Sequence, residues 1–161
     1  MDRMLEILGP HLLRTEPDNK PVVVMICGIV GAGKTTLSKA ILARYPSYRS
    51  LSIEEGCGRC GGTMLLSILR SGQKDLVMDL SFHSKKDRED TKKTIKYNGG
   101  RWVLVYLRVK SKEFVWDRIQ KRRREGINAY YEHEMTREML DKCWDGFEWP
   151  VDEGEIVLEV E

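Results

Sequence analysis

The sequence has little of what would direct a chain into a membrane, out of the cell or onto a polyanion. Its longest uncharged run, Pro21 to Gly33, is 13 residues, short of the roughly 20 apolar residues that cross a bilayer. The first residues carry Asp2, Arg3 and Glu6 where a secretory signal has a basic start and an apolar stretch, so the expected location is the cytoplasm. Cysteine is scarce: the four in 161 residues, Cys27, Cys57, Cys60 and Cys143, are too few to staple a chain of this length and suit a reducing compartment. Net charge is nearly absent, with 27 Lys and Arg against 25 Asp and Glu. Bulk attraction to nucleic acid or anionic lipid is therefore not indicated. Apolar residues are in ordinary supply, at 41%, which excludes intrinsic disorder, and the length predicts a single domain over residues 1–161.

Periodicity and punctuation divide the chain into alternating elements. Leu5, Leu8, Leu12 and Leu13 recur at helical spacing across Gly9-Pro10, predicting a short bent amphipathic helix over 2–14, with a turn-rich linker completing an N-terminal segment of about 1–20. Val22 to Cys27 is an unbroken apolar, β-branched run, the pattern of a strand buried on both faces. A glycine-rich loop and a helix over Thr35 to Arg44 follow. Further strands are predicted over Tyr48–Ile53, Leu76–Leu80, Trp102–Val109 and Ile156–Val160. Helices are predicted over Thr63–Arg70, from an Ser84 cap to Tyr97 before Gly99-Gly100, from an Ser111 cap to about Glu125, and over Thr136–Trp144. Residues 56–62 hold four Gly and two Cys and are expected to be a loop. This alternation implies an α/β fold: a mostly parallel sheet of about five strands with helices on both faces. Charge is uneven along it. Arg108 to Glu125 carries eight basic residues against three acids, whereas Asp145 to Glu161 carries seven acids and no base; the tail is expected to be a solvated acidic end.

Gly28-Ile29-Val30-Gly31-Ala32-Gly33-Lys34-Thr35 matches G-x-x-x-x-G-K-[ST] at every fixed position, directly after a predicted strand and before a predicted helix. The glycines let the backbone curl so that successive N–H groups converge on phosphate oxygens, and the positive end of the helix adds attraction. In such a loop the amides of Gly28, Ile29, Val30, Gly31, Ala32 and Gly33 cradle phosphates, with Lys34, Thr35 and Thr36 at the helix start. Lys34 reaches the terminal phosphates, and the Thr35 hydroxyl holds Mg²⁺. A merely tight turn would explain the glycines but not the lysine. Asp79, after three apolar residues at a predicted strand end, is a weaker match to a magnesium-holding acid. A turn acid is the alternative.

Ile26 to Leu42 resembles the small P-loop kinases related to polynucleotide kinase, gluconate kinase and zeta-toxin-type kinases, and in particular the short ATP-binding proteins described as AAA-domain proteins. Leu51 to Glu55, Leu76 to Phe82, the Asp87-Arg88 pair and Arg118 to Arg122 are similar to the family's later landmarks, in the same order, so that the resemblance covers about residues 20–160. It implies a P-loop NTPase fold and an ATP- and Mg²⁺-dependent phosphotransferase acting on a hydroxyl acceptor. It further implies that Asp79 serves the magnesium shell or the acceptor, and that Glu54 stands where the family has an Asp acting as base or acceptor ligand. Segment 111–128 would be a lid whose Arg118 and Arg122, four apart on one helical face, close over the nucleotide. A solvated basic helix is the plainer reading of that segment. Arg88 is a further acceptor or phosphate candidate, although its highly charged helix reads more simply as a salt-bridged exposed face.

Only 24 residues separate Glu54 from Asp79, an interval usually longer in the resembling kinases. The nucleotide half is intact and the acceptor half is cut down, which fits a small acceptor, a degenerate site or an altered gene model. Two other functional classes stay open: a catalytically silent nucleotide-binding module and a simple NTPase. Cys57-Gly58-Arg59-Cys60 has the spacing of half a zinc site or a redox pair, but no second pair or nearby His completes it. Cys27 is expected to be packing, and the four Trp to be core or rim aromatics.

Overall fold

A computed structural model describes residues 1–52, 59–126 and 135–161. Its elements, in chain order, are α1 (Asp2–Leu12), β1 (Val22–Cys27), α2 (Lys34–Arg44), β2 (Tyr48–Ser52), α3 (Arg59–Ser71), β3 (Asp75–Asp79), α4 (Lys85–Tyr97), β4 (Arg101–Val109), α5 (Lys112–Arg124), α6 (Arg137–Asp145) and β5 (Ile156–Val160). The five strands form one sheet in the order β2-β3-β1-β4-β5, and every pairing is parallel. Parallel neighbours need helical crossovers that cover the faces. Every residue of β1 and β3 is accordingly buried. No helix among the described residues is long and apolar enough to cross a membrane.

The caps predicted at Ser84 and Ser111 are realised, and Thr136, expected as the first residue of its helix, is a third. The hydroxyls of Ser84, Ser111 and Thr136 accept hydrogen bonds from the amides of Asp87, Phe114 and Met139, satisfying donors that the first helical turn leaves unpaired. At the opposite end of the sheet, α1 buries Leu5, Leu8 and Leu12, and Tyr48 Oη donates to Leu12 O at 2.7 Å. Arg101 donates to the carbonyls of His11 and Leu13, closing the C-terminus of α1. Arg14 reaches the buried Asp75 at 3.0 Å, and the same carboxylate oxygen accepts the Val22 amide at 2.9 Å. The N-terminal segment is thus tied to the beginnings of β1 and β3, away from the strand ends where ligands collect in open α/β sheets.

Three expectations are corrected. Arg59 to Gly62 belongs to α3 and not to a loop; glycine costs least in a first turn, whose amides need no intrahelical acceptor, and the helix is anchored further on by buried Leu65 and Leu69. The charged helix α4 is not exposed all round. Arg88 has no solvent exposure and Lys92 only 5%, and with Ile95 they form one buried stripe at helical spacing. The acidic tail is not wholly solvated either, because Glu153 is buried and forms a two-pronged ion pair with Arg88 at 2.7 and 2.8 Å. Lys92 Nζ donates to the backbone carbonyl of Glu153 at 2.8 Å and lies over the Trp102 ring. A sequence reading assigns such residues to water because isolated charges cannot be buried; here each meets an opposite charge or an acceptor.

The Arg88 hydrogen bond holds the Glu153 carboxyl below its ordinary value of 4.5, so the pair's contribution is complete above that value and is lost as pH falls through the lowered one. Glu153→Gln, which leaves a guanidinium buried without its anion, should lower the unfolding free energy by about 3–5 kcal/mol at pH 7. The deficit should shrink as pH falls below 4.5, as read by urea titration of both chains across that range.

Candidate functional site

All strands run in the same direction, so Cys27, Ser52, Asp79, Val109 and Val160 end at one edge of the sheet. The glycine loop leaves β1 there, between β3 and β4. The first loop amide, Gly28 N–H, donates to Ser81 O at 3.2 Å. An added Cβ at Gly28 would stand 3.2 Å from Leu107 Cβ on β4, so the loop leaves the sheet in close backbone contact. Gly31 and Gly33 have φ of 77° and 103°, left-handed values that favour glycine, and Gly33 forms the N-cap of α2. The underside of Gly31 rests on Val115 and Ile119 of α5, both fully buried. The basic helix therefore contributes an apolar floor to the loop as well as its cations.

Lys34 Nζ donates to the carbonyls of Gly28 and Ile29 at 3.0 and 3.1 Å, which sets its ammonium across the loop. Thr35 Oγ1 donates to Asp79 Oδ2 at 2.6 Å. This contact joins the start of α2 to the end of β3, 44 residues away. Paired hard oxygens from one hydroxyl and one carboxylate fit Mg²⁺, which takes few protein ligands and otherwise binds phosphate oxygens and water. Among the described residues, no group of three or more His, Cys, Asp or Glu gathers as a metal cluster. Arg122 Nη2 lies 3.4 Å from Thr36 Oγ1, and the Arg118 guanidinium sits over the Phe114 ring, 5.4 Å from its centroid. An added Cβ at Gly33 would meet Arg118 Nη2 at 3.5 Å. Both arginines thus reach the loop and the first turn of α2.

Glu54, Cys57 and the far end of the segment expected to form a lid lie outside the described residues, as do the side chains of Ser52 and Cys60. Arg88 is absorbed by Glu153 and by Phe82 O, to which it donates at 2.7 Å. Cys27 is fully buried, and burial pushes its thiol up to about 11; it stays protonated at neutral pH and donates to Phe82 O at 3.3 Å. Trp144, Phe147 and Tyr106 pack around Trp149, Trp144 edge-on and the other two tilted, consistent with core and rim. The sequence reading missed the β3–α4 turn: Ser81 and Phe82 carry φ of 60° and 49°, and neither residue type announces that geometry. It also missed Glu153, whose signal was the i, i+4, i+7 spacing of Arg88, Lys92 and Ile95 opposite an acid-rich tail.

The close fit of Gly31 is directly testable. Gly31→Ala places a Cβ 3.1 Å from Val115 Cγ1 in a left-handed backbone, and should lower the unfolding free energy by roughly 1–2 kcal/mol in denaturant titration. Gly62→Ala, in the first turn of a helix and with no neighbour within 4 Å of its Cβ, should instead raise it, by less than the roughly 0.5–1 kcal/mol of a mid-helix glycine.

No family model matches the sequence, and comparison with curated proteins finds no match. Solved structures do match. Chaetomium thermophilum Kti12, crystallised with ADP-AlF3, superposes with a TM-score of 0.66 at 13% identity, over 85% of this chain and 88% of the other. A fungal RNA kinase gives 0.62 at 13% identity, over 89% and 77%, and a Sinorhizobium meliloti gluconokinase gives 0.54 at 16%, over 87% and 83%. The five-stranded parallel sheet with its covering helices is thus the α/β fold of these P-loop kinase structures.

Proposed function

We propose that this chain is an ATP-dependent, Mg²⁺-requiring phosphotransferase that moves the terminal phosphoryl group of ATP to a hydroxyl acceptor. The observation that carries the reading is the 2.6 Å contact between Thr35 and Asp79 beside a loop whose sequence matches the phosphate-binding motif at every fixed position. A tight turn needs neither a lysine laid across it nor a carboxylate from another strand. The kinase-like neighbours support the same reading through the fold.

The loop amides from Gly28 to Thr36 and the N-terminus of α2 bind the phosphates and keep them in one orientation. Lys34 neutralises charge that builds on the terminal phosphate and on the leaving oxygen. Thr35 and Asp79 would hold Mg²⁺, which when bound draws charge from the β- and γ-phosphate oxygens. The acceptor oxygen forms a bond to the γ-phosphorus as the bond to the ADP oxygen breaks, and the hydroxyl proton passes to a carboxylate, for which Glu54 and Asp79 are the candidates. Arg118 and Arg122 close on the nucleotide from α5, excluding water that would otherwise compete as acceptor.

Mg-ATP at one hundred times its dissociation constant adds about 2.7 kcal/mol of stability. That should raise the melting midpoint by roughly 5–10 °C, and the shift should shrink in Lys34→Ala; no shift in the natural chain at millimolar Mg-ATP would end the reading. ADP release that depends on an added alcohol supports transfer, whereas release that is indifferent to every acceptor points to hydrolysis. Asp79→Asn should weaken Mg-ATP by about tenfold or more, ~1.4 kcal/mol, while ATP in EDTA binds nearly as before; equal losses in both conditions would remove the metal role of Asp79.

A further inference from the structure

The turn from β3 to α4 follows Asp79 by two residues and touches the phosphate loop directly. Ser81 O accepts the Gly28 amide at 3.2 Å, and Phe82 O accepts the Cys27 thiol at 3.3 Å. Both turn residues have left-handed backbone, a conformation that a Phe keeps only when its surroundings impose it. Cys27 and Arg88 hold the turn directly, and the C-terminal segment acts on it through Arg88 and its flanks. Arg88 Nη1 donates to Phe82 O at 2.7 Å, while its Nε and Nη2 form the fork on Glu153. The Glu148 amide donates to His83 O at 2.9 Å, and the Glu148 carboxylate accepts the Lys85 amide at 2.5 Å at the start of α4. Glu153 is held in turn by Lys92, which donates to its carbonyl, and by the carboxylate of Glu155, which accepts its amide. The bonds from Glu148 to Lys85 and from Glu153 to Arg88 and Lys92 join points more than 60 residues apart in the chain.

A buried ion pair contributes little net stability compared with apolar residues of the same volume. What the guanidinium fork supplies is direction, because its donors are planar and fixed relative to one another. Arg88 spends two donors on Glu153 and a third on the turn carbonyl, so the position of the acid determines that of the turn. We propose that the Arg88–Glu153 pair is a clamp by which segment 148–155 positions the β3–α4 turn, and with it both Asp79 and the first amide of the phosphate loop. Arg88 and Glu153 are positioning residues in this arrangement: neither faces a ligand, and both act through Ser81 and Phe82. The consequence for metal binding rests on the phosphotransferase reading; the consequence for the turn does not.

The test uses the full chain with Arg88→Met and Glu153→Leu combined, an apolar replacement of a kind that commonly preserves folding. Amide hydrogen exchange is followed without nucleotide, and ATP affinity is measured with Mg²⁺ and in EDTA. The clamp predicts that Gly28 and Phe82 exchange at least about tenfold faster relative to the Val24 amide. It also predicts that the gain in ATP affinity on adding Mg²⁺ falls by a similar factor, on the scale set by one lost orienting contact. Arg88→Lys, which keeps the charge without the fork, should fall between the two chains; it carries the same comparison should the double variant fail to fold. Unchanged exchange at Gly28 and Phe82 in a folded variant would overturn the clamp. A natural chain that gains nothing from Mg²⁺ would overturn the phosphotransferase reading instead, and the exchange data would still decide the clamp.

Discussion

The central constraint is that β1 has no access to water at all. All six of its residues are buried, so its backbone must pair fully with β3 on one side and β4 on the other, in a single register that aligns Met25 with Met78 and with Leu104. An unpaired amide in that position would cost about as much as a lost hydrogen bond. The register has a chemical consequence: it sets the end of β1 and the end of β3 at the same level. The glycine loop therefore begins beside Asp79, and the first turn of α2 delivers Thr35 onto that carboxylate.

The other face of the sheet is covered in an unusual way. Alternate residues of β4 serve opposite sides, with Leu107 under Gly28 and Trp102 against Lys92 and Gly154, as the pleat requires. On the Trp102 side, α4 offers Arg88 and Lys92 where an ordinary core helix would offer leucines. Their stems pack as hydrocarbon, and their charges end on Glu153 and its carbonyl. The loop before β5 is thereby fastened to the turn after β3, so an element near the end of the chain is linked through Arg88 and Phe82 O to the end of β1. α5 makes a comparable link to the glycine loop, with Val115 and Ile119 beneath Gly31 and Arg118 and Arg122 beside the loop.

Most of the framework was legible because it rests on local rules. Val22–Cys27 was recognisable as an unbroken apolar run, α4 by its Ser84 cap, and β5 by its short β-branched segment. The sequence reading erred where residue type is a poor guide to environment. Gly61 and Gly62 looked like loop, yet α3 runs through them because its later turns are anchored by Leu65 and Leu69. Arg88 looked like surface, or like an acceptor ligand, and it is neither. Ser81 and Phe82 carried no turn signal, because their left-handed geometry is imposed from outside by partners on α4 and β1.

The sequence by itself determined the alternation of strands and helices, the caps, the covalent order of the phosphate loop and the presence of Lys34 and Thr35 at its end. These follow from spacing within a few residues, where periodicity, glycine freedom and side-chain caps act directly. Only the tertiary structure decided that Asp79 meets Thr35, that Arg118 and Arg122 reach the loop, and that Arg88 finds Glu153. Those contacts span between 44 and 86 residues. They exist because parallel pairing and the burial of apolar faces bring distant strand ends to one edge, which no local pattern encodes.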